Sequence, residues 1–285
     1  MTSRSASPAR WGVGEALLPR LEALGWINEG RASPDAEALL RVVRSSPDPD
    51  GALQRLVSLA ERGGIDLATP LGLELAPLAG ASPGLWQSLL RHPDWTTSAA
   101  PGGDDPRRLV QRRTIAIALE DLHGRWDLPG VTRALSDLGD EAAALALDLT
   151  RRGLRERFPE VDVLPFAVIA LGKWGGQELN YASDIDLLFV YEPGEIESDV
   201  ARRLANRVAI GFIDHLARPT AEGLAFRVDT DLRPEGTTGP LTRTLESYRA
   251  YYARWGEPWE FQALIKARPA AGDRDLGEHF ITMNA

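Results

Sequence analysis

The sequence contains no cysteine, which excludes disulfides and every thiolate metal site. That absence suits a reducing cytoplasm, the location expected for this protein. No apolar run is long enough to span a bilayer, and Met1-Thr-Ser-Arg-Ser-Ala-Ser-Pro-Ala-Arg10 is not followed by the apolar core of a secretory leader, so no membrane partner is expected. Histidine is scarce, and His92, His123, His215 and His279 show no ligand spacing. Positive charge is also in deficit: 32 Lys and Arg against 41 Asp and Glu leave a formal charge of −9. No basic field dominates, which argues against nucleic acid as the main partner. A classical P-loop is absent too, because Gly172-Lys173 is followed by tryptophan and lacks the glycine spacing that motif needs.

What remains is an ordinary globular composition, 44% hydrophobic and 26% charged over 285 residues, enough for two domains. Residues 1–157 form a helical region punctuated by proline and glycine. Gly14 to Trp26 carries Leu17, Leu18, Leu21 and Leu24 at helical spacing. Ser33 before Pro34 is a helix start with proline in the first turn, followed by the stripe Leu39, Leu40, Val42 and Val43. Arg107 to Leu122 and Val131 to Arg152 are the longest helical patterns, the second with Val131, Leu135, Leu138, Ala142, Leu145 and Leu149 in a regular three-or-four step. Thr96 to Asp105 is a loop by composition. Arg112 and Arg113 belong to a solvated helix face, and the eight tryptophans are scattered as core or interface anchors.

From about Phe158 the pattern becomes mixed. Phe166–Ala170 and Ile185–Tyr191 are compact apolar strands, and Pro193-Gly194 ends the second. Ser198 then caps a helix carrying Val200, Leu204, Val208, Phe212 and Leu216. Leu224 to Leu232 alternates strictly, with Phe226, Val228, Thr230 and Leu232 on one face and Arg227, Asp229, Asp231 and Arg233 on the other. Turns at Pro234–Gly236 and Gly239-Pro240 precede two further helices, Leu245 to Trp255 and Pro258 to Ala267. A last helical pattern from Asp275 to Ile281 stops abruptly, so the chain reads as a piece of a longer protein, truncated at its C-terminus. The expected class is α+β: an all-α region, then residues 158–285 as a domain with a small mixed β-sheet flanked by helices.

The chemistry concentrates at Asp184 and Asp186. Carboxylates at i and i+2 entering a strand lie on one face, where they repel each other and are costly to bury. A cation between them is the natural remedy, and a divalent metal with oxygen ligands fits best. A two-metal phosphoryl site holds its ions about 3.5–4 Å apart and draws a further carboxylate from a neighbouring strand, for which Asp229 and Asp231 are the suppliers. Gly175-Gly176 closely follows the first strand. It is expected to open a helical turn through Gln177-Glu178-Leu179 whose N–H groups face a phosphate. A lone Asp-x-Asp or glycine pair is most often a solvated turn, and here the combination carries the weight.

At these residues the chain resembles a known family. Gly172-Lys-x-Gly-Gly-x-Glu-Leu-Asn-Tyr-x-Ser-Asp-Ile-Asp-Leu187 is similar to the nucleotidyltransferase motif of the glutamine synthetase adenylyltransferases, members of the DNA polymerase β-like superfamily. The segments Arg227–Gly236, Gly239–Leu241 with Leu245–Tyr248, Trp259–Asp273 and Val131–Leu138 resemble the same family, so the likeness covers roughly residues 80 to 280.

That resemblance implies a nucleotidyltransferase domain with Mg²⁺ as cofactor, two ions in all. Asp184, Asp186 and Asp229 match the metal-binding acids, and Gly175, Gly176 and Ser183 match the phosphate-side residues. Arg233, Lys266 and Arg268 lie in family motifs and could neutralise phosphate charge, or merely cap helix ends and pair with acids. Two positions depart from the pattern. Trp174 replaces a smaller apolar residue, a packing change. Asp231 adds an acid, either a fourth metal ligand or, as preferred here, the ion-pair partner of Arg227 or Arg233.

In the family two such domains occur in tandem, the first removing AMP from a glutamine synthetase tyrosine by phosphorolysis to give ADP and the second attaching AMP from ATP. The motif follows a helical region beginning at Met1, and Phe261–Arg268 looks more like the first copy. Removal of AMP is therefore the expected activity, on adenylylated glutamine synthetase with phosphate and ATP or ADP as small partners, together with a PII-type nitrogen signal protein. Adenylylation from ATP and a non-catalytic docking role are the alternatives.

Overall fold

The computed structural model describes residues 14, 16–96 and 105–283, which fall into two compact units. Of the described residues, one unit comprises those within 1–100 and 114–127, the other those within 101–113 and 128–285. The loop expected at Thr96 to Asp105 lies largely outside the described residues.

The first unit is helical, with one small hairpin that the expected all-α region did not contain. Helix α1 (Leu18–Ala23) is followed by β1 (Ile27–Asn28) and β2 (Arg31–Ala32). The expected helix to Trp26 stops early because Gly25 takes φ +73° and directs Trp26 and Ile27 into the core. Between the strands Glu29 and Gly30 both have positive φ, the twist a tight hairpin requires. Helices α2 (Pro34–Arg44), α3 (Pro49–Gly63), α4 (Pro70–Ala81) and α5 (Pro83–Arg91) each open on proline. Ser33, Asp48 and Ser82 cap three of them by accepting from the N–H groups of Ala36, Gly51 and Leu85. Helix α6 (Pro106–Leu122) gives its later part to this unit, where Ile115 and Ala118 join Leu21, Trp26, Leu39, Leu56, Leu78 and Trp86 in one core.

In the second unit, helix α7 (Leu128–Arg155) lies alongside a sheet built from β3 (Phe166–Ala170), β4 (Ile185–Tyr191), β5 (Val228–Asp229), β6 (Thr242–Arg243) and β7 (Arg268–Gly272). The order is β5-β4-β3-β7, with β6 also on β4. β3 runs antiparallel to β4 and β7, and β5 and β6 run parallel to β4. The division between units therefore falls elsewhere than the expected boundary at residue 157. The apolar stripe of α7 is buried with the sheet domain, against β7 and against α9 (Ser198–Ala217).

Every residue of β3 is buried, because both faces of the sheet are covered. On one face Ala167, Ile169, Leu188 and Val190 pack with Tyr248 and Tyr252 of α10 (Leu245–Trp255) and with Leu276 and Phe280 of α12 (Arg274–Met283). On the other, the rings of Phe166, Phe189 and Phe212 follow each other at 5.6 and 5.4 Å. Helix α9 comes so close to α7 that a Cβ on Gly211 would stand 2.6 Å from Thr150. The buried Arg107 guanidinium closes the C-terminal end of α9 by donating to the carbonyls of Asp214 (3.0 Å) and Arg218 (2.7 Å).

Three local expectations are corrected. Glu197, one residue before Ser198, caps α9 by accepting from the N–H groups of Asp199 and Val200. The alternating segment Leu224 to Leu232 contributes only the short β5. Beyond it the Asp229 carboxylate accepts from the Asp231 N–H (2.7 Å) and the chain turns away. The helix expected to reach Ala267 is α11 (Pro258–Leu264), and Arg268–Gly272 becomes β7, a strand of Pro, Ala and Gly without β-branched residues. Proline is tolerated there because β7 is an edge strand.

Candidate active site

The acids are gathered by register. β4 and β5 pair with Ile185 opposite Val228 and Asp186 opposite Asp229, and the Ile185 N–H donates to the Arg227 carbonyl at 2.9 Å. One step back, the same ladder sets Asp184 beside Arg227. Two charged rungs result on one face: an ion pair, Asp184–Arg227, and a like-charged pair, Asp186–Asp229. By alternation this is also the face of Leu188 and Val190, so the rungs are a polar continuation of a packed sheet surface.

Asp186 is the more deeply set acid. Burial first, then the negative charges of Asp229 and Asp184, push its carboxyl above the ordinary aspartate range, against a smaller downward pull from the Lys173 ammonium. Gly172 makes the seat possible. It adopts φ +54°, and a Cβ there would stand 2.2 Å from Asp186 Oδ2. The Leu171 N–H, donating to the Asp186 carbonyl at 2.9 Å, fixes the loop over the strand.

The other expected site residues are placed as follows. Gly175 and Gly176 close the short helical turn α8 (Gly172–Gly175) instead of opening one, and the chain leaves through Gln177 at φ +56°. Their missing side chains admit Lys266: a Cβ on Gly175 would lie 2.3 Å from the Lys266 backbone carbonyl oxygen, and one on Gly176 2.7 Å from Cδ of its side chain. Ser183 is engaged within its own turn, its hydroxyl donating to Asn180 Oδ1 (2.9 Å) and accepting from the Asn180 N–H (3.2 Å). Lys266 pairs with Glu178 at 2.6 Å. Arg233 is buried and ties its own loop together, donating to the carbonyls of Thr230 (2.8 Å) and Gly239 (3.2 Å) and pairing with Asp231 at 3.4 Å. Asp231 thus has the ion pair preferred from the sequence.

A supporting network escaped the sequence reading. Arg268 donates in bidentate fashion to Asp140 of α7 (2.7 and 2.8 Å) and to the Trp174 carbonyl (3.2 Å). Asp140 also accepts from the Trp174 indole N–H (2.9 Å), which is shared with the Ser136 carbonyl (3.2 Å), while the Ser136 hydroxyl accepts from the Leu179 N–H (3.2 Å). The motif loop is therefore clamped to α7 before and after the glycine pair. One signal was available: Gly139 lies mid-helix, and a Cβ there would meet the Trp174 indole nitrogen at 2.7 Å.

Among the described residues no three His, Asp or Glu side chains close into a ready metal-ligand set. Asp184 is turned onto Arg227. The donor chemistry nevertheless fits a hard divalent cation: the donors are carboxylate oxygens alone, and at Asp186 excess negative charge is half-buried.

The molecule thus presents a carboxylate-faced β4–β5 edge beneath a glycine loop, on an α+β frame. Residues 74–283 match the model of the glutamate–ammonia ligase adenylyltransferase family, and the chain belongs to that family. More particularly, it is similar to proteins named bifunctional glutamine synthetase adenylyltransferase/adenylyl-removing enzyme. The one from Streptomyces avermitilis is 38% identical over 276 residues, 85% of this chain and 27% of the relative. The Streptomyces coelicolor protein is 37% identical over 288 residues (92% and 28%), and that of Mycolicibacterium smegmatis 33% identical over 305 residues (95% and 29%). The chain thus spans under a third of the length of these relatives. No helix among the described residues is long and apolar enough to cross a membrane.

Proposed function

We propose that this chain carries out metal-dependent adenylyl transfer on glutamine synthetase, removing AMP from adenylyl-tyrosine by phosphorolysis. The observation that carries the reading is the like-charged rung Asp186–Asp229, with Asp184 one step away on the same face. A fold does not place two acids side by side on a half-buried strand edge for stability, since like charges directly opposite are destabilising. The relatives' names supply the protein substrate, and the likeness of Phe261–Arg268 to the first of the family's tandem copies supplies the direction.

Asp184, Asp186 and Asp229 would hold Mg²⁺, and the bound ion would supply charge neutralisation for phosphoryl transfer. The chain's own residues contribute position and field. Asp186 is aimed by the Gly172 loop, and that loop is fixed in turn by Trp174, Asp140 and Arg268. Lys173 brings positive charge to the Asp186 side. An oxygen of inorganic phosphate forms a bond to the phosphorus of AMP, the bond to the tyrosine oxygen breaks, and the phenol regains a proton as ADP leaves. No covalent intermediate on this protein is needed.

The test is to give the chain adenylylated glutamine synthetase, phosphate and Mg²⁺ and measure ADP, and separately to give it labelled ATP and the unmodified protein. ADP release abolished by Asp186→Asn is the expected result. Transfer of label from ATP with no ADP release overturns the direction. Turnover unchanged by Asp186→Asn overturns the site, and no turnover either way overturns the activity for this chain.

A further inference from the structure

The two rungs differ in one respect that bears on how cations enter. The Asp186–Asp229 rung has two negative ends and no guanidinium. The Asp184–Arg227 rung already holds a cation of its own: Arg227 Nε donates to the Asp184 carboxylate, and Arg227 Nη2 donates to the Ala182 carbonyl at 3.0 Å. The guanidinium is thus fixed at two points, on the carboxylate and on the backbone two residues before it. Both side chains of this pair stay open to water, 63% and 47% exposed, so the contact is of the weak, exchangeable kind.

We propose that Arg227 is a built-in counter-ion that competes with a divalent cation for Asp184, making the two cation positions unequal. The first cation enters at Asp186–Asp229 without breaking an ion pair to a guanidinium, one Asp229 oxygen keeping its bond from the Asp231 N–H. Engagement of Asp184 requires Arg227 to release it, so the second position is weaker and its occupancy depends on this one side chain. Arg227 is accordingly a positioning residue: it keeps Asp184 oriented and charge-compensated until substrate and cation arrive together. The inference rests on the metal-dependent reading above.

The experiment is a calorimetric Mn²⁺ binding isotherm on the whole chain, for the native sequence and for Arg227→Gln, Arg227→Lys, Asp184→Asn and Asp186→Asn. Two classes of site are expected, the stronger abolished by Asp186→Asn and the weaker by Asp184→Asn. Arg227→Gln should tighten the weaker class by about fivefold, the upper worth of an exposed ion pair, and leave the stronger unmoved. Arg227→Lys, which keeps the charge, should restore the native weaker affinity; a merely structural role would not sort the variants by charge. If Arg227→Gln leaves the weaker class unchanged or loosens it, the inference is overturned while the proposed function stands. If no Mn²⁺ binding is lost in Asp186→Asn, both are overturned.

Discussion

In the helical unit Leu21, Leu39, Leu56, Leu78 and Trp86 meet in a core of leucine and tryptophan, and an ion pair such as Arg20–Glu61 stays at the surface, 37% and 40% exposed. In the sheet unit a tryptophan is also fully buried, but Trp174 hands its indole N–H to a carboxylate, and that carboxylate also holds an arginine from the edge strand. The first arrangement is largely non-directional: the leucines need only the right volume, and the Trp86 indole N–H donates to a backbone carbonyl, that of Arg55 at 3.1 Å, with no charged partner. The second is directional, since each donor has a defined acceptor, and it lies under the loop that aims Asp186. The contrast indicates which part of the molecule holds an apolar mass together and which part holds atoms in place.

The sharpest way to break the contrast is to remove one anchor from each side. Trp174→Ala should cost about 3–5 kcal/mol and Leu56→Ala about 2–5 kcal/mol in urea unfolding, similar losses by the same cavity physics. Only Trp174→Ala should also weaken Mn²⁺ binding at Asp186, because only Trp174 fixes the motif loop. Equal effects on binding would erase the distinction.

A smaller effect of opposite sign is expected at the acid rung. The Asp186 carboxyl is raised in the folded chain, so its contribution favours the fold at low pH and is lost as pH rises through the elevated value. Asp186→Asn should therefore stabilise at neutral pH by up to about 1 kcal/mol, roughly 2–4 °C in melting temperature. The advantage should shrink as pH falls through about 4 and vanish near about pH 3, where the aspartate is protonated in both folded and unfolded states. Melting curves for the two proteins across pH 3–8 check the sign, and a destabilised Asp186→Asn at pH 7 would contradict it. The smallest change belongs to the helical surface: Arg20→Ala should cost less than about 1 kcal/mol in the same unfolding measurement, screened further by salt.

Much of the frame was legible beforehand. Phe166–Ala170 and Ile185–Tyr191 are strands with the expected bounds, and Leu245–Trp255 is a helix, because apolar runs and turn residues act locally. Ser33 caps the helix that its position before Pro34 foretold. Failures came where a distant contact outweighs the local signal. Arg268–Gly272 carries no strand propensity and is a strand because β3 offers it a partner edge. Leu224 to Leu232 has perfect alternation but pairs for only two residues, because Asp229 and Arg233 spend their hydrogen bonds on turning the chain. Nothing in the sequence signalled that Gly175 and Gly176 make room for Lys266, the first for its backbone and the second for its side chain.

By itself, the sequence determined that Asp184 and Asp186 share a strand face, because a two-residue period needs no partner to be true. It also carried, in long ordered motifs, the family to which the chain belongs. Only the tertiary structure decided what stands opposite each acid. The parallel register of β4 and β5 gives Asp184 an arginine and Asp186 an aspartate, and a slip of one residue would turn Arg227 and Asp229 to the other face and leave both acids without these neighbours. Cross-strand neighbours are set by pairing, which is non-local, and the electrostatics of this site follow from the neighbours.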